Sequence, residues 1–167
     1  MAEQLLPLVN EAGEVTGSAR RSEAHGNPRL MHPVVHCIVV NARGDLLLQL
    51  RSATKDVQPG RWDTSVGGHV DVGESVEAAV RREMQEELGL DPQDNPPRFL
   101  YRYAMRSTIE TELVHTYTCV AEGPFRAEPG DIDELRFWSV EEIERAIGSG
   151  VLTPNFENEF RRFQKVK

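Results

Sequence analysis

Residues 68–90 read GHVDVGESVEAAVRREMQEELGL, and no other stretch limits the fold of this chain as strongly. From Ser75 to Leu88 there is neither proline nor glycine, and Val76, Val80, Met84 and Leu88 recur every four positions. That spacing predicts an α-helix with a narrow buried stripe. Gly89 supplies the stop, because glycine takes the left-handed conformation at a helix C-terminus without steric cost. On such a helix Glu83, Glu86 and Glu87 stand at i, i+3 and i+4, so three carboxylates share one face. Like charges at those spacings destabilise a helix by about 0.2–0.5 kcal/mol per pair. A divalent cation reverses the sign, and an oxygen-rich cluster with room for water and phosphate suits Mg²⁺ or Mn²⁺ rather than Zn²⁺. Arg82 is spaced to pin one of the carboxylates, and Gly67-Gly68 lets the backbone come close to the helix and to a substrate.

The segment fits G-x5-E-x7-R-E-U-x-E-E-x-G-U, with U a bulky apolar residue, at Gly68, Glu74, Arg82, Glu83, Met84, Glu86, Glu87, Gly89 and Leu90. In this it resembles the Nudix hydrolases, and the resemblance implies metal-dependent cleavage of a diphosphate bond. On the family's pattern Glu83, Glu86 and Glu87 are metal ligands, Glu74 belongs to the metal site through water or by fixing loop geometry, and Arg82 orients a ligand carboxylate. The general base is implied to be a glutamate outside the helix, with Glu112, Glu110 and Glu134 as candidates in that order, or Glu83 itself.

From His25 to Glu74 the chain is also similar to type I isopentenyl-diphosphate isomerases, through RLMH, LLLQLRS and PGRWDTSVGGH. Those enzymes share the Nudix fold and move a double bond by protonation and deprotonation. They bind a metal with three histidines and two glutamates. The counterparts by motif context are His25, His32, His69, Glu110 and Glu112, which implies a second metal site here. Arg51 and Lys55 follow the LLLQLR strand and are implied to face the diphosphate, with Gly67 and Gly68 beside it. Two departures oppose isomerase chemistry. The catalytic cysteine of the isomerases falls at Gly67, which offers no proton donor. The isomerases have also lost part of the glutamate box that this chain keeps. The expectation is an isomerase-like branch with hydrolase chemistry, against the alternatives of an isomerase or a catalytically silent nucleotide-sensing module.

At 167 residues the chain is expected to form one domain with a substantial core, with residues 5–30 as an N-terminal hairpin extension. A net charge of −8 disfavours nucleic acid and anionic membranes as partners, and for the small-molecule diphosphate that the resemblance implies as substrate an acidic chain needs cations at the site. Cys37 and Cys119 lie in apolar or β-branched runs and read as reduced core residues. Without a leader or a membrane-length apolar run, a cytoplasmic location is the default expectation. The hairpin is a candidate homodimer element.

Leu5–Val9 and Val15–Ala19 read as its strands, followed by a polar stretch through Arg29. Further strands are expected at 34–40, 46–50, from Trp62 to Gly67, 98–105, 113–121 and 136–138. Ser139 with Glu142 forms a capping-box pattern, and Thr153-Pro154 opens a last helix carrying Phe156, Phe160 and Phe163 on one side. Mixed strands with one central and two late helices suggest an α/β or α+β class. The resemblance narrows this to the Nudix fold, an α/β/α sandwich around a mixed β-sheet. Trp62, Tyr101, Tyr103, Tyr117 and Phe125 are candidates to stack a base, and Arg61, Arg102 and Arg106 are further candidates to hold phosphate.

Overall fold

The computed structural model describes residues 3–55 and 57–166. In chain order its elements are β1 (Leu5–Val9), β2 (Val15–Arg20), α1 (Arg21–Ala24), β3 (Met31–Val40), β4 (Leu46–Arg51), β5 (Trp62–Thr64), β6 (Val66–His69), α2 (Val76–Leu88), β7 (Arg98–Arg106), β8 (Thr111–Val120), β9 (Ile132–Trp138), α3 (Val140–Ala146) and α4 (Pro154–Val166). The apolar run MHPVVHCIVV becomes β3, a strand covered on both faces. It pairs with β8 in parallel from Met31↔Thr111 to Val40↔Val120, and with β6 in antiparallel fashion. The larger sheet has seven strands, ordered β5-β4-β3-β8-β7, with β6 on β3 and β9 on β4. β1 and β2 form a separate two-stranded sheet.

Alternation along β3 divides the core in two. Val35, Cys37 and Val39 point to one side, where they pack with Ala79, Val80, Met84 and Leu88 of α2. Ile38 points to the other, into a cluster with Trp138, Ile143 of α3 and Phe156, Phe160 and Phe163 of α4. Helices therefore cover both faces of a mixed sheet, which is the α/β/α sandwich expected. No helix among the described residues is long and apolar enough to cross a membrane.

Helix ends follow the residues that mark them. The Ser75 side chain accepts from Ala78 N at 3.0 Å, and Gly89 closes α2 at φ 66°. Ser139 and Glu142 form the reciprocal capping box of α3. Several boundaries differ from the expectation, and four of the differences bear on the packing. The polar stretch after β2 contains the single turn α1. β3 starts three residues early, at Met31, because pairing with β8 continues past Pro33, and β9 starts at Ile132, where β4 pairs it. The strand after Trp62 is two strands, broken at Ser65. Its hydroxyl accepts from Val39 N at 3.0 Å and donates to the Leu47 carbonyl, so one side chain fills the gap between the β3 and β4 pairings.

α4 also carries a charge inward. Glu159 is fully buried and accepts from His36 Nδ1 at 2.7 Å, from the Tyr101 hydroxyl and from Thr116 Oγ1 at 3.1 Å, which ties the helix to β3, β7 and β8. Burial alone would lower the His36 pKa, but the hydrogen bond to Glu159 and the charges of Glu159, Glu112 and Asp63 raise it on balance. Burial alone would raise Glu159, and the His36 hydrogen bond and charge, with Tyr101 and Thr116, bring it below the usual range.

Phe156, with no exposed surface, should cost about 3–5 kcal/mol on truncation to alanine in urea melts, whereas Val15→Ala at 71% exposure should be near neutral. The pH dependence of stability has a definite sign. A raised His36 lends stability that is fully present below its ordinary value of 6.5 and is lost as pH rises through the folded value. A lowered Glu159 lends stability present above 4.5 and lost as pH falls through its folded value. The difference in unfolding free energy between wild type and His36→Gln should therefore peak between those limits, and a pH-independent difference would contradict the ion pair.

Candidate active site

α2 and the end of the sheet enclose a cavity of about 780 Å³. Its first wall is the glutamate face of α2. Arg82 holds that face together: Nε and Nη2 donate to the Glu74 carboxylate at 2.8 and 2.9 Å. Nη1 donates to Glu83 at 2.8 Å and to Glu86 at 3.2 Å, while Nη2 also donates to the His69 carbonyl at 3.0 Å. The hydrogen bonds from Arg82 and Asp71 N hold Glu74 below the usual carboxylate range against a smaller opposing effect of burial. Gly68 makes room for this arrangement, since a Cβ there would lie within 2.7 Å of both Glu83 carboxyl oxygens. Glu87 is buried and accepts from Gln49 Nε2 at 3.0 Å and from Gly67 N at 3.3 Å. Burial, reinforced by neighbouring Glu83, pushes its carboxyl well up. A buried carboxylate beside a second one is a site that a cation would relieve, so the donor set fits a hard divalent ion.

The second wall is the histidine set, of which His25, His69, Glu110 and Glu112 line the cavity and His32 is fully buried, and here distant segments converge. His25 follows α1, His32 lies on β3, His69 ends β6, and Glu110 and Glu112 enter β8. His25 Nε2 lies 3.0 Å from His69 Nε2, and the three imidazoles are 5.0–5.5 Å apart by centroid. Glu110 is 3.6 Å from His25 and 3.9 Å from His32, and Glu112 is 3.7 Å from His32. His32 is fully buried, yet neither ring nitrogen has a hydrogen-bond partner. An orphaned buried imidazole is costly, and lone pairs facing two other histidines and two carboxylates suit a metal. Burial, with the charges of Arg21, His32 and His25, lowers His69 to about 4, so its ring is neutral and able to ligate at ordinary pH. This set gathers its donor atoms within 4.8 Å in two overlapping triplets, a tighter convergence than the helical glutamates reach around Arg82.

Between the walls lie Arg51 and Lys55. Arg51 Nη1 is 3.6 Å from Asp63, and Lys55 Nζ is 2.6 Å from Asp131. Both side chains line the cavity, each already facing a carboxylate. Glu134 is exposed on β9 and stands outside the lining. Glu128, which sequence reasoning missed, is part of it: its amide donates to the Glu87 carbonyl at 3.1 Å. Burial, with the charges of Asp131, Glu83 and Glu86, raises the Glu128 pKa. No spacing rule points to it, because it sits in the irregular loop before β9.

The aromatic candidates need correcting, for no Trp, Tyr or Phe among the described residues lines the cavity. Trp62 packs on Trp138, Phe125 on Phe137 and Tyr117 on Phe99, while Tyr103 lies under the Arg162 guanidinium. Arg102 and Arg106 instead bond the hairpin turn at the Ala12 carbonyl and Glu11. Position 67 carries no thiol, and Cys37 and Cys119 are buried in the core away from the lining.

Known proteins extend this geometry. The isopentenyl-diphosphate Delta-isomerase of Citrobacter koseri is 30% identical over 146 residues, covering 85% of this chain and 81% of that one. The enzyme of the same name from Corynebacterium diphtheriae is 32% identical over 155 residues, 87% and 84% of the two chains. An uncharacterized Nudix hydrolase of Yersinia pestis is 32% identical over 142 residues, 81% and 73%. A crystal structure from Deinococcus radiodurans has a TM-score of 0.83 at 29% identity, covering 95% of this chain and 98% of that one. The MutT protein of Methanosarcina mazei shares the fold at a TM-score of 0.68 and 23% identity, over 83% of this chain and 95% of that one. The NUDIX domain itself matches residues 30–156, from the start of β3 into α4, and so takes in both walls of the cavity apart from His25; the chain belongs to the Nudix family.

Proposed function

We propose that this cavity binds a small-molecule diphosphate with Mg²⁺ or Mn²⁺ and hydrolyses its diphosphate bond. The substrate is a nucleoside diphosphate derivative or a similar small molecule. The observation that carries this reading is the intact glutamate face of Glu83, Glu86 and Glu87, organised by Arg82, beside a position 67 that has no acid to offer. Nudix proteins and the isomerases are divalent-metal dependent as families. Glu83, Glu86 and Glu87 would hold the ion, which when bound neutralises phosphate charge and acidifies water.

The chain's own residues do the remaining work. Arg82, itself fixed by Glu74, keeps the ligand carboxylates in register. Arg51 and Lys55 bind phosphate oxygens, exchanging Asp63 and Asp131 for the substrate. Of the glutamates outside α2, Glu112 faces His32, whereas Glu128 lines the cavity next to the glutamate face, its amide bonded to the Glu87 carbonyl at 3.1 Å. Glu128 therefore takes precedence over Glu112 as the base that removes a proton from the attacking water. Positioning and electrostatics supply most of the acceleration.

One observation favours the isomerase as a second reading: the assembled cluster of His25, His32, His69, Glu110 and Glu112, with both His32 nitrogens free of partners. Incorporation of deuterium from D₂O into isopentenyl diphosphate would support it.

The primary test is formation of the two monophosphate products, separated by ion-exchange chromatography, from a panel of nucleoside diphosphate derivatives and isopentenyl diphosphate, with Mg²⁺ and with Mn²⁺. Glu86→Gln and Glu87→Gln should each lower kcat at least a hundredfold, about 3 kcal/mol of transition-state stabilisation, with the fold intact by circular dichroism. Wild-type turnover in either would sink the assignment. Gly68→Ala should act like them, by displacing Glu83, with little change in Tm. Glu128→Gln should lower kcat and leave KM within about twofold, as loss of a base does; a rise in KM alone would make it a binding residue.

A further inference from the structure

Nothing in the sequence marks His36 as more than a strand residue, but its surroundings set it apart. Alternation along β3 places His32, Val34 and His36 on one face, with His36 in register with Thr116 of β8 and Gly67 of β6. Glu159, fully buried on α4, takes the Nδ1 side of the ring at 2.7 Å. Satisfying that carboxylate needs hydrogen-bond donors from three strands. An apolar side chain at this depth would serve stability as well or better, since desolvating a carboxylate offsets much of what its ion pair gains. The arrangement does achieve something an apolar residue cannot. It fixes the imidazole with Nδ1–H donated to Glu159 and therefore Nε2 turned the other way.

That other way is the cavity, which His36 helps to line. A Cβ at position 67 would lie 3.3 Å from His36 Cδ2 and 3.6 Å from Nε2. Glycine there leaves the Nε2 edge uncrowded. The amide of the same Gly67 donates to Glu87 at 3.3 Å, so His36 adjoins a carboxylate of the glutamate face through a single residue. Glu159 from α4 bonds the His36 ring, Tyr101 from β7 and Thr116 from β8 share that carboxylate, and the charges of Glu112 from β8 and Asp63 from β5 act on the ring. They are acidic or neutral, which favours the imidazolium.

We propose that His36, oriented by the buried Glu159, is a substrate-contacting residue whose Nε2–H donates to a phosphate oxygen of the diphosphate, beside Glu87 and over the bare backbone of Gly67. The contact rests on the reading that this cavity takes a diphosphate. It adds an imidazole donor on β3 to the side chains of Arg51, at the end of β4, and Lys55. Glu159 is a positioning residue that acts only through the ring.

Inorganic pyrophosphate with Mg²⁺, added to the full chain labelled with ¹⁵N at histidine, tests this without reference to turnover. His36→Gln assigns the ring signals. The His36 Nε2 resonance should shift on saturation, and the ring should hold its proton to higher pH with pyrophosphate than without. The Kd for pyrophosphate should rise about tenfold in His36→Gln, the loss of one charge-assisted hydrogen bond. Should that variant fold poorly, Glu159→Gln keeps the ring in place and should lower its pKa while weakening pyrophosphate. Pyrophosphate that does not bind, or that binds with the His36 ring signals unmoved, overturns the proposal. Pyrophosphate engaged by His36 in a protein that cleaves no diphosphate would support the contact and overturn only the hydrolase reading.

Discussion

The parallel pairing of β3 with β8 is the constraint on which the rest of the molecule depends. Ten consecutive pairs lock the register, and a slip of one residue would exchange every side chain between the two faces. In the observed register Val35, Cys37 and Val39 meet α2, and Ile38 meets the phenylalanines of α4. The same register puts His32 opposite Glu112 and His36 opposite Thr116. Core packing and site assembly are therefore one specification: the apolar residues that fix the register also decide which polar residues share the cavity.

Around that frame the electrostatics are lopsided. Glu83, Glu86, Glu87, Glu110, Glu112 and Glu128 all line one cavity in a chain of net charge −8. Arg82 compensates part of one wall through hydrogen bonds to three glutamates, and Arg51 and Lys55 are each opposite an aspartate. The upward shifts of Glu87, Glu110 and Glu128, in each of which burial is the largest cause, mark where negative charge is least well matched. Such a surface would repel a bare polyphosphate, which is why metal binding and substrate binding belong to the same argument.

Much of this was legible in the sequence, for reasons that differ by residue. α2 was readable because its stripe, its Ser75 cap and its Gly89 stop are local signals, and local signals survive folding. The glutamate face followed from helical spacing alone. The histidine set was not derivable in that way: His25, His32, His69 and Glu110 come from four segments, and only resemblance to the isomerases could group them. Glu128 and the His36–Glu159 pair escaped both routes. Glu128 lies in a loop without periodicity, and Glu159 sits among PNFENEFRRF, where one more glutamate on an amphipathic helix looks solvated. The aromatic candidates failed for the opposite reason. Their composition suits base stacking, but sheet alternation and helix cover sent each one into the core or onto its rim, and none into the lining.

Two metal-competent walls in one cavity give the central tension of this protein, and position 67 bears on it directly. Isomerisation needs a proton delivered to carbon, and at 67 there is only backbone, with both cysteines sealed in the core. Hydrolysis needs a charge-neutralised phosphate and a base, the parts proposed above for a cation on the glutamate face and for Glu128. The absence of a side chain at 67 also frees the Nε2 edge of His36, a donor suited to phosphate oxygen rather than to an alkene. One glycine thus withholds the side chain that isomerase chemistry would use at this position and leaves the Nε2 edge of His36 uncrowded, while the histidine set beside it keeps donor atoms of two overlapping triplets within 4.8 Å of one another.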